Sequence, residues 1–363
     1  MNPGTEDLHV RQLIADPLLV ARAAARDGTR VVGYFGNDVP VALIIAADAL
    51  PVRLRGIARE STPRADAFLE SAFAPEMRVI VEQWLAGELD FLDAVVFPRT
   101  DDSAQRLYYY LSELQRRRLC GGPKPLLYDV ANIGRPSSVD YTRDSTHRLA
   151  RALGCAESGF ARAMARVARR EQWLLDLHAR RAHEHPLPGS LAWRWERAHA
   201  CDWREEFDTL AHRALVDAPA LSRPRRILLA GDPVPDDSLH RAIEQQGGSV
   251  VLELTESEPA ALSGLSSNID ALADHHHARR NPVLSMRADG DWVLTRARES
   301  GADGVVFWLI EEDESLPWEI ARQKRSLEAA GVPTLLLPRQ AWKVHEDAIQ
   351  EVGNFVGIRE MKR

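Results

Sequence analysis

Two short, uninterrupted apolar runs constrain this chain more than any other feature. One is Ala94-Val95-Val96-Phe97, with Leu92 just before it and Pro98 closing it; the other is Gly304–Ile310, GVVFWLI. Runs of this length read as strands covered on both faces, as in a parallel sheet flanked by helices. Each run ends in carboxylates: Thr100-Asp101-Asp102-Ser103 after the first, Glu311-Glu312-Asp313-Glu314 after the second. In open α/β sheets chemistry gathers at the carboxyl ends of strands, where a loop meets the next helix. The two acidic loops are therefore expected to face one another across a cleft between two similar domains.

The rest of the chain alternates in the same way. Arg30–Phe35 reads as a strand, Gly36-Asn37-Asp38 as its turn, Pro40 as the start of a helix to Leu50, and Pro51–Leu54 as the next strand, a βαβ unit. A helical stretch interrupted near Pro17, Asp7–Asp27, precedes it. Helices follow over Ala65–Phe73 and Pro75–Ala86, then Ala104–Arg118 after the central strand, the strand Lys124–Val130, and helices over Ser145–Leu153 and Phe160–His185. In the second half, strands are expected at Arg226–Ala230, Ser249–Leu254, Gly304–Ile310 and Thr334–Leu337. Helices are expected at Asp237–Gln246, Trp292–Ser300, Pro317–Ala330 and Trp342–Arg359, and a polar irregular stretch at Glu256–Asn281. The fold class is thus α/β, with a doubly wound parallel sheet in each half. Residues 1–182 form the N-terminal domain, 183–222 a helical or irregular linker rich in His, Trp and Pro, and 223–363 the C-terminal domain.

Composition narrows the function. A chain of 363 residues, 45% of them hydrophobic, can bury the cores of two domains. Its 46 Lys and Arg against 53 Asp and Glu give a net charge of −7, and no basic block suggests nucleic acid. The arginines of Ala161–Arg181 alternate with apolar residues at helical spacing and read as a solvated helix face. No run approaches the ~20 apolar residues of a membrane span, and the start of the chain has no basic segment leading into an apolar one, so no secretory signal is expected. Three cysteines, Cys120, Cys155 and Cys201, are few, odd in number and far apart, which suits a reducing cytoplasm. His275-His276-His277 reads as a surface loop, because adjacent histidines point in different directions and no second pair stands at ligand spacing; no metal site is expected. The turns at Gly36-Asn37-Asp38 and Gly231-Asp232-Pro233 could cradle a phosphate at a helix N-terminus, although Asp38 and Asp232 would repel it.

Taken in order, GYFGNDVP with ALPVRLRG (Gly33–Gly56), ADAFLESAFAPEMR (Ala65–Arg78), LDAVVFPRTDDSAQRL (Leu92–Leu107), ILLAGDPVPDDSL (Ile227–Leu239), GADGVVFWLIEEDE (Gly301–Glu314) and EAAGVPTLLLP (Glu328–Pro338) resemble the 2-hydroxyacyl-CoA dehydratase and benzoyl-CoA reductase subunit family. The resemblance implies two flavodoxin-like domains and, usually, three cysteines holding an iron–sulfur cluster. The corresponding places here look like Ala74 after Phe73, Asp101 after Thr100, and the group Glu312–Glu314. A cluster needs thiolates, and a carboxylate is a hard, poor substitute. The implied role is a cluster-free subunit of a heteromeric enzyme, a heterodimer or larger, acting on an acyl-CoA thioester, with any [4Fe-4S] cluster in a homologous, cysteine-bearing partner. Two alternatives stay open. One is a stand-alone acyl-CoA lyase or hydratase using Asp101, Asp102 and Glu312 as acid and base; the other is a non-catalytic binding or assembly protein. Contacts to substrate or cofactor are expected from Asn37, Asp38, Phe73, Ala74, Thr100, Ser103 and Asp313. Locally, Asp101-Asp102 reads equally as a helix N-cap and Glu311–Glu314 as a solvated loop.

Overall fold

A computed structural model describes residues 3–357 apart from 132, 134, 280 and 281, with side chains from residue 8 onward. The chain divides into two compact units. The first comprises Met1–Trp173, Arg197–His212 and Pro259–Arg279; the second comprises Leu174–Glu196, Arg213–Glu258 and Arg280–Arg363. The first unit holds strands β1 (Val31–Tyr34), β2 (Leu50–Arg53), β3 (Ala94–Pro98) and β4 (Lys124–Tyr128); the second holds β5 (Arg225–Gly231), β6 (Gly248–Leu254), β7 (Gly304–Ile310) and β8 (Thr334–Gln340). All pairings are parallel, and the orders are β2-β1-β3-β4 and β6-β5-β7-β8.

The helices in chain order are α1 (Pro3–Ala15), α2 (Leu19–Arg26), α3 (Val41–Ala46), α4 (Pro63–Asp66), α5 (Pro75–Leu85), α6 (Asp102–Arg116), α7 (Pro136–Leu153), α8 (Glu157–Ala182), α9 (Gly189–Cys201), α10 (Glu205–Val216), α11 (Ser238–Gln245), α12 (Ile269–Ala278), α13 (Pro282–Ala288), α14 (Trp292–Ser300), α15 (Leu316–Ala329) and α16 (Glu346–Gly357). No helix among the described residues is long and apolar enough to cross a membrane.

Each sheet is buried on both faces, as its uninterrupted apolar runs require. In the first unit Val32, Tyr34, Ala94, Val96 and Tyr128 face one core, shared with Leu43, Leu149, Met164 and Leu272. Val31, Phe35, Val95 and Phe97 face the other, shared with Ile80, Trp84, Leu107 and Leu111. In the second unit Leu228, Ala230, Val305, Phe307 and Leu309 pack with Met286, Val293 and Ile320. Their strand neighbours Ile227, Leu229, Val306 and Trp308 are equally buried. These are doubly wound α/β domains of the flavodoxin-like type, as expected.

Three local expectations need correction. The helix expected over Ala65–Phe73 is the single turn α4, because Arg78 reaches back and donates to the carbonyls of Glu70 and Phe73, holding them in an irregular turn. The basic face of α8 is not uniformly solvated: Arg170 is 3% exposed and Arg181 1%. Arg170 donates to the Asp208 carboxylate (2.7 Å) and the Asp202 carbonyl (2.8 Å) and stacks on Trp203. Arg181 donates to Glu253 (2.8 Å) and the Val250 carbonyl (2.9 Å). Finally, His275-His276-His277 lies not in a surface loop but in α12, with His276 and His277 buried. The Asn268 side chain caps that helix by accepting from Ala271 N (2.8 Å). Its Asp270 and Asp274 pair with His147 and Arg143 of α7.

The tightest backbone approach lies at the carboxyl end of β5. Gly231 has φ +113°, and a Cβ there would fall 2.2 Å from the Trp308 carbonyl oxygen. Gly231→Ala is expected to cost at least ~2 kcal/mol, since neither backbone can yield cheaply. Gly121→Ala, where a Cβ meets nothing within 4 Å, serves as the near-neutral control. Urea unfolding of both variants checks the difference.

Candidate functional site

In a sheet ordered 2-1-3-4 the chain leaves the first strand toward one edge and the third toward the other. The crevice outside the carboxyl ends of those two strands is the topological switch point, where ligands of such folds bind. The switch points here are β1/β3 in the first unit and β5/β7 in the second, and polar residues gather at each.

In the first unit the turns after β1 and β3 are tied together. Thr100 Oγ1 donates to Asp38 Oδ2 at 2.7 Å. Asn37 Oδ1 accepts from Arg53 Nη1, at the end of β2, at 2.7 Å. Asp101 is half-buried and caps α6, its Oδ1 accepting from Ala104 N at 2.9 Å. Burial pushes the Asp101 carboxyl up; the Ala104 N–H opposes this, while the carboxylates of Glu76 and Asp38 add to it. A carboxyl so placed is better suited to holding a proton than an exposed one. Asp102 is exposed in the first turn of α6 and Ser103 half-buried beside it. Phe73 is fully buried, edge-on to Tyr110 with ring centroids 5.5 Å apart and beneath the Arg106 guanidinium, so in this conformation it packs within the core. Ala74 is the N-cap of α5. The structure thus gathers Asn37, Asp38, Thr100 and Asp101 at one switch point, while Phe73 belongs to the hydrophobic core beside them.

Sequence reasoning missed a third contributor. The carboxyl end of α12 brings Arg279 Nε to 4.0 Å from Asp38 Oδ1. His276 hydrogen-bonds the Asp38 backbone, and burial, then Arg279, holds its imidazole well below the usual range and therefore neutral. The signal was present: a capping Asn268 followed by Ile269, Leu272, Ala273 and His276 at spacings of three and four.

In the second unit Asp313 caps α15 in the manner of an Asx turn, its Oδ1 accepting from Ser315 N (2.7 Å) and Leu316 N (2.8 Å). Glu312 is half-buried next to it. Glu311 pairs with Arg339, and Glu314 is exposed. Asp232, read from sequence only as a turn residue, holds the two strand ends together: its N–H donates to the Trp308 carbonyl (2.8 Å) and its Oδ2 accepts from Ile310 N (2.9 Å). Burial raises the Asp232 carboxyl well above the ordinary range, and the charge of Asp313 raises it further. The Ile310 N–H opposes the rise; a hydrogen bond to Asp313 and the charge of Glu312 reinforce it. Burial and the neighbouring Asp313 carboxylate thus both favour the protonated form of Asp232.

The residues at the positions where the family resemblance implies cluster ligands do not fit an iron–sulfur cluster. The places implied by the family resemblance hold a methyl group at Ala74 and hard carboxylates at Asp101, Glu312 and Asp313. Cys201 is buried, its thiol pushed up to about 11 by burial, and burial also raises the thiols of Cys120 and Cys155.

Two flavodoxin-like units of the same strand order, each with a carboxyl-bearing switch point, define the class: a two-unit, doubly wound α/β protein. The family model described as 2-hydroxyglutaryl-CoA dehydratase, D-component, matches residues 37–350, and the chain belongs to that family. A comparison with curated proteins finds no match.

Because folding raises the Asp232 carboxyl, its contribution to stability is full below the ordinary carboxyl range and is lost as pH rises through the elevated folded value. Asp232→Asn keeps the acceptor for Ile310 N–H and the donor toward Asp313 but cannot ionise. The variant is expected to match wild type near pH 4 and to exceed it by at least ~1 kcal/mol at pH 8. Denaturant unfolding across that range measures the difference; parallel curves would refute the raised carboxyl.

Proposed function

We propose that this chain is a subunit of a 2-hydroxyacyl-CoA dehydratase-like or benzoyl-CoA reductase-like enzyme. It pairs with a homologous, cysteine-bearing subunit and acts on an acyl-CoA thioester without binding a cluster itself. One observation carries the reading. The positions where the family resemblance implies thiolates hold Ala74, Asp101 and Glu312–Glu314 in a chain whose family match spans both units. The family description names a component, which supports a partner. The three free cysteines are in keeping with a reducing cytoplasm.

The residues proposed to serve the first unit's switch point are Asn37, Asp38, Thr100, Asp101, Asp102 and Ser103, backed by Phe73 and Ala74; Glu312 and Asp313 are proposed to serve the second unit's own switch point. Asp101, Asp102 and Glu312 are the proposed proton-handling groups. Asp232 favours a second reading, a stand-alone acyl-CoA lyase in which a carboxyl pair supplies acid and base, because a strand-end carboxyl whose protonated form is favoured suits a general acid.

Iron and sulfide analysis of anaerobically purified protein separates the two. The subunit reading expects neither element in the chain alone and both after co-expression with a cysteine-bearing homologue. Substitution of Asp232 and Glu312 that abolishes a dehydration activity of the isolated chain would instead establish the second reading.

A further inference from the structure

Asp38 is satisfied on one side only. Its Oδ2 accepts from Thr100, but Oδ1, a buried atom, takes no hydrogen bond among the described residues. The Arg279 guanidinium stands beside it, its Nε 4.0 Å away and beyond hydrogen-bond reach. A buried acceptor without a donor is expensive, and here it stands beside a guanidinium, a group that only donates. The turn carrying it is held from below by His276, which is neutral and adds no charge. Asp101, the other carboxyl facing this point, is the cap of α6.

This pairing selects a ligand. A phosphate or free carboxylate meets Arg279 favourably but is repelled by Asp38. A group that presents a hydroxyl to Asp38 and an oxygen acceptor to Arg279 satisfies both. A hydroxyl and a carbonyl oxygen on adjacent carbons supply that combination in one small fragment.

We propose that Asp38 and Arg279 are the substrate-recognition pair of the first unit, Asp38 Oδ1 accepting the hydroxyl hydrogen of a 2-hydroxyacyl thioester and Arg279 donating to its carbonyl oxygen. The assignment rests on the acyl-CoA reading above and adds to it which residues read the hydroxyl. A charged acceptor of this kind discriminates against the ligand lacking the hydroxyl by about 10- to 100-fold.

Isothermal titration of the full chain with 2-hydroxyglutaryl-CoA and with glutaryl-CoA, the same molecule without the hydroxyl, provides the test. Wild type is expected to bind the hydroxylated thioester at least 10-fold more tightly. Asp38→Asn, which preserves shape and the bond from Thr100, should lose most of that preference, the loss falling mainly on the hydroxylated thioester. Arg279→Gln should weaken both ligands, and Arg279→Lys should recover part of the loss. Equal binding of the two thioesters by wild type, or an unchanged preference in Asp38→Asn, overturns the recognition pair and leaves the acyl-CoA reading standing. Failure of wild type to bind either thioester overturns both.

Discussion

A single carboxyl group after the first strand of each unit is fastened to the carboxyl-terminal end of a neighbouring strand or the turn that leaves it. Asp38 is fastened by the Thr100 hydroxyl, and Asp232 by the Ile310 N–H. Parallel strands leave a crevice where the chain turns opposite ways, and these bonds close its floor. The rest of the polar architecture depends on them. Only because β1 and β3 are tied at their ends can Asp101 both cap α6 and lie within electrostatic reach of Asp38. The close approach of β5 and β7 at Gly231 sets the Asp232 carboxyl deep enough for burial to raise it beside Asp313. Both units thus use the same topology to hold a carboxyl in a controlled state. They differ in what faces it: a hydroxyl and a guanidinium in one, two further acids in the other.

The strands were legible in the sequence because hydrophobic runs leave little choice. The bounds of β7 and α14 coincide with those read from the residues alone, and β3 differs by a residue or two. The failures share a physical cause, which is that polar side chains buried with partners look like solvated ones. His276 and His277 read as surface until Thr142 and the Asp38 turn are seen to receive them. Arg170 and Arg181 read as a charged face until their carboxylates and carbonyls come from residues distant in sequence.

The candidate site was legible in part for the same reason. Acidic residues after a buried strand are visible in one dimension, so Asp38, Thr100, Asp101, Glu312 and Asp313 could be named. Which of them carries a proton depends on burial and neighbours, so the role of Asp232 could not be read. Arg279 could not be assigned to Asp38 either, being far from it along the chain and on a helix whose first turn is announced only by Asn268.

That helix belongs to the first unit, although the chain reaches it only after building β5 and β6 of the second. Leu272 fills the same core as Val32 and Val96, and Arg143 and His147 of α7 await partners on α12. During synthesis, an N-terminal domain ordinarily folds as soon as its own sequence has emerged. Here the first unit lacks the helix that covers one face of its core until the segment ending at residue 279 has emerged from the ribosome. Its final consolidation is therefore timed to the production of the second unit.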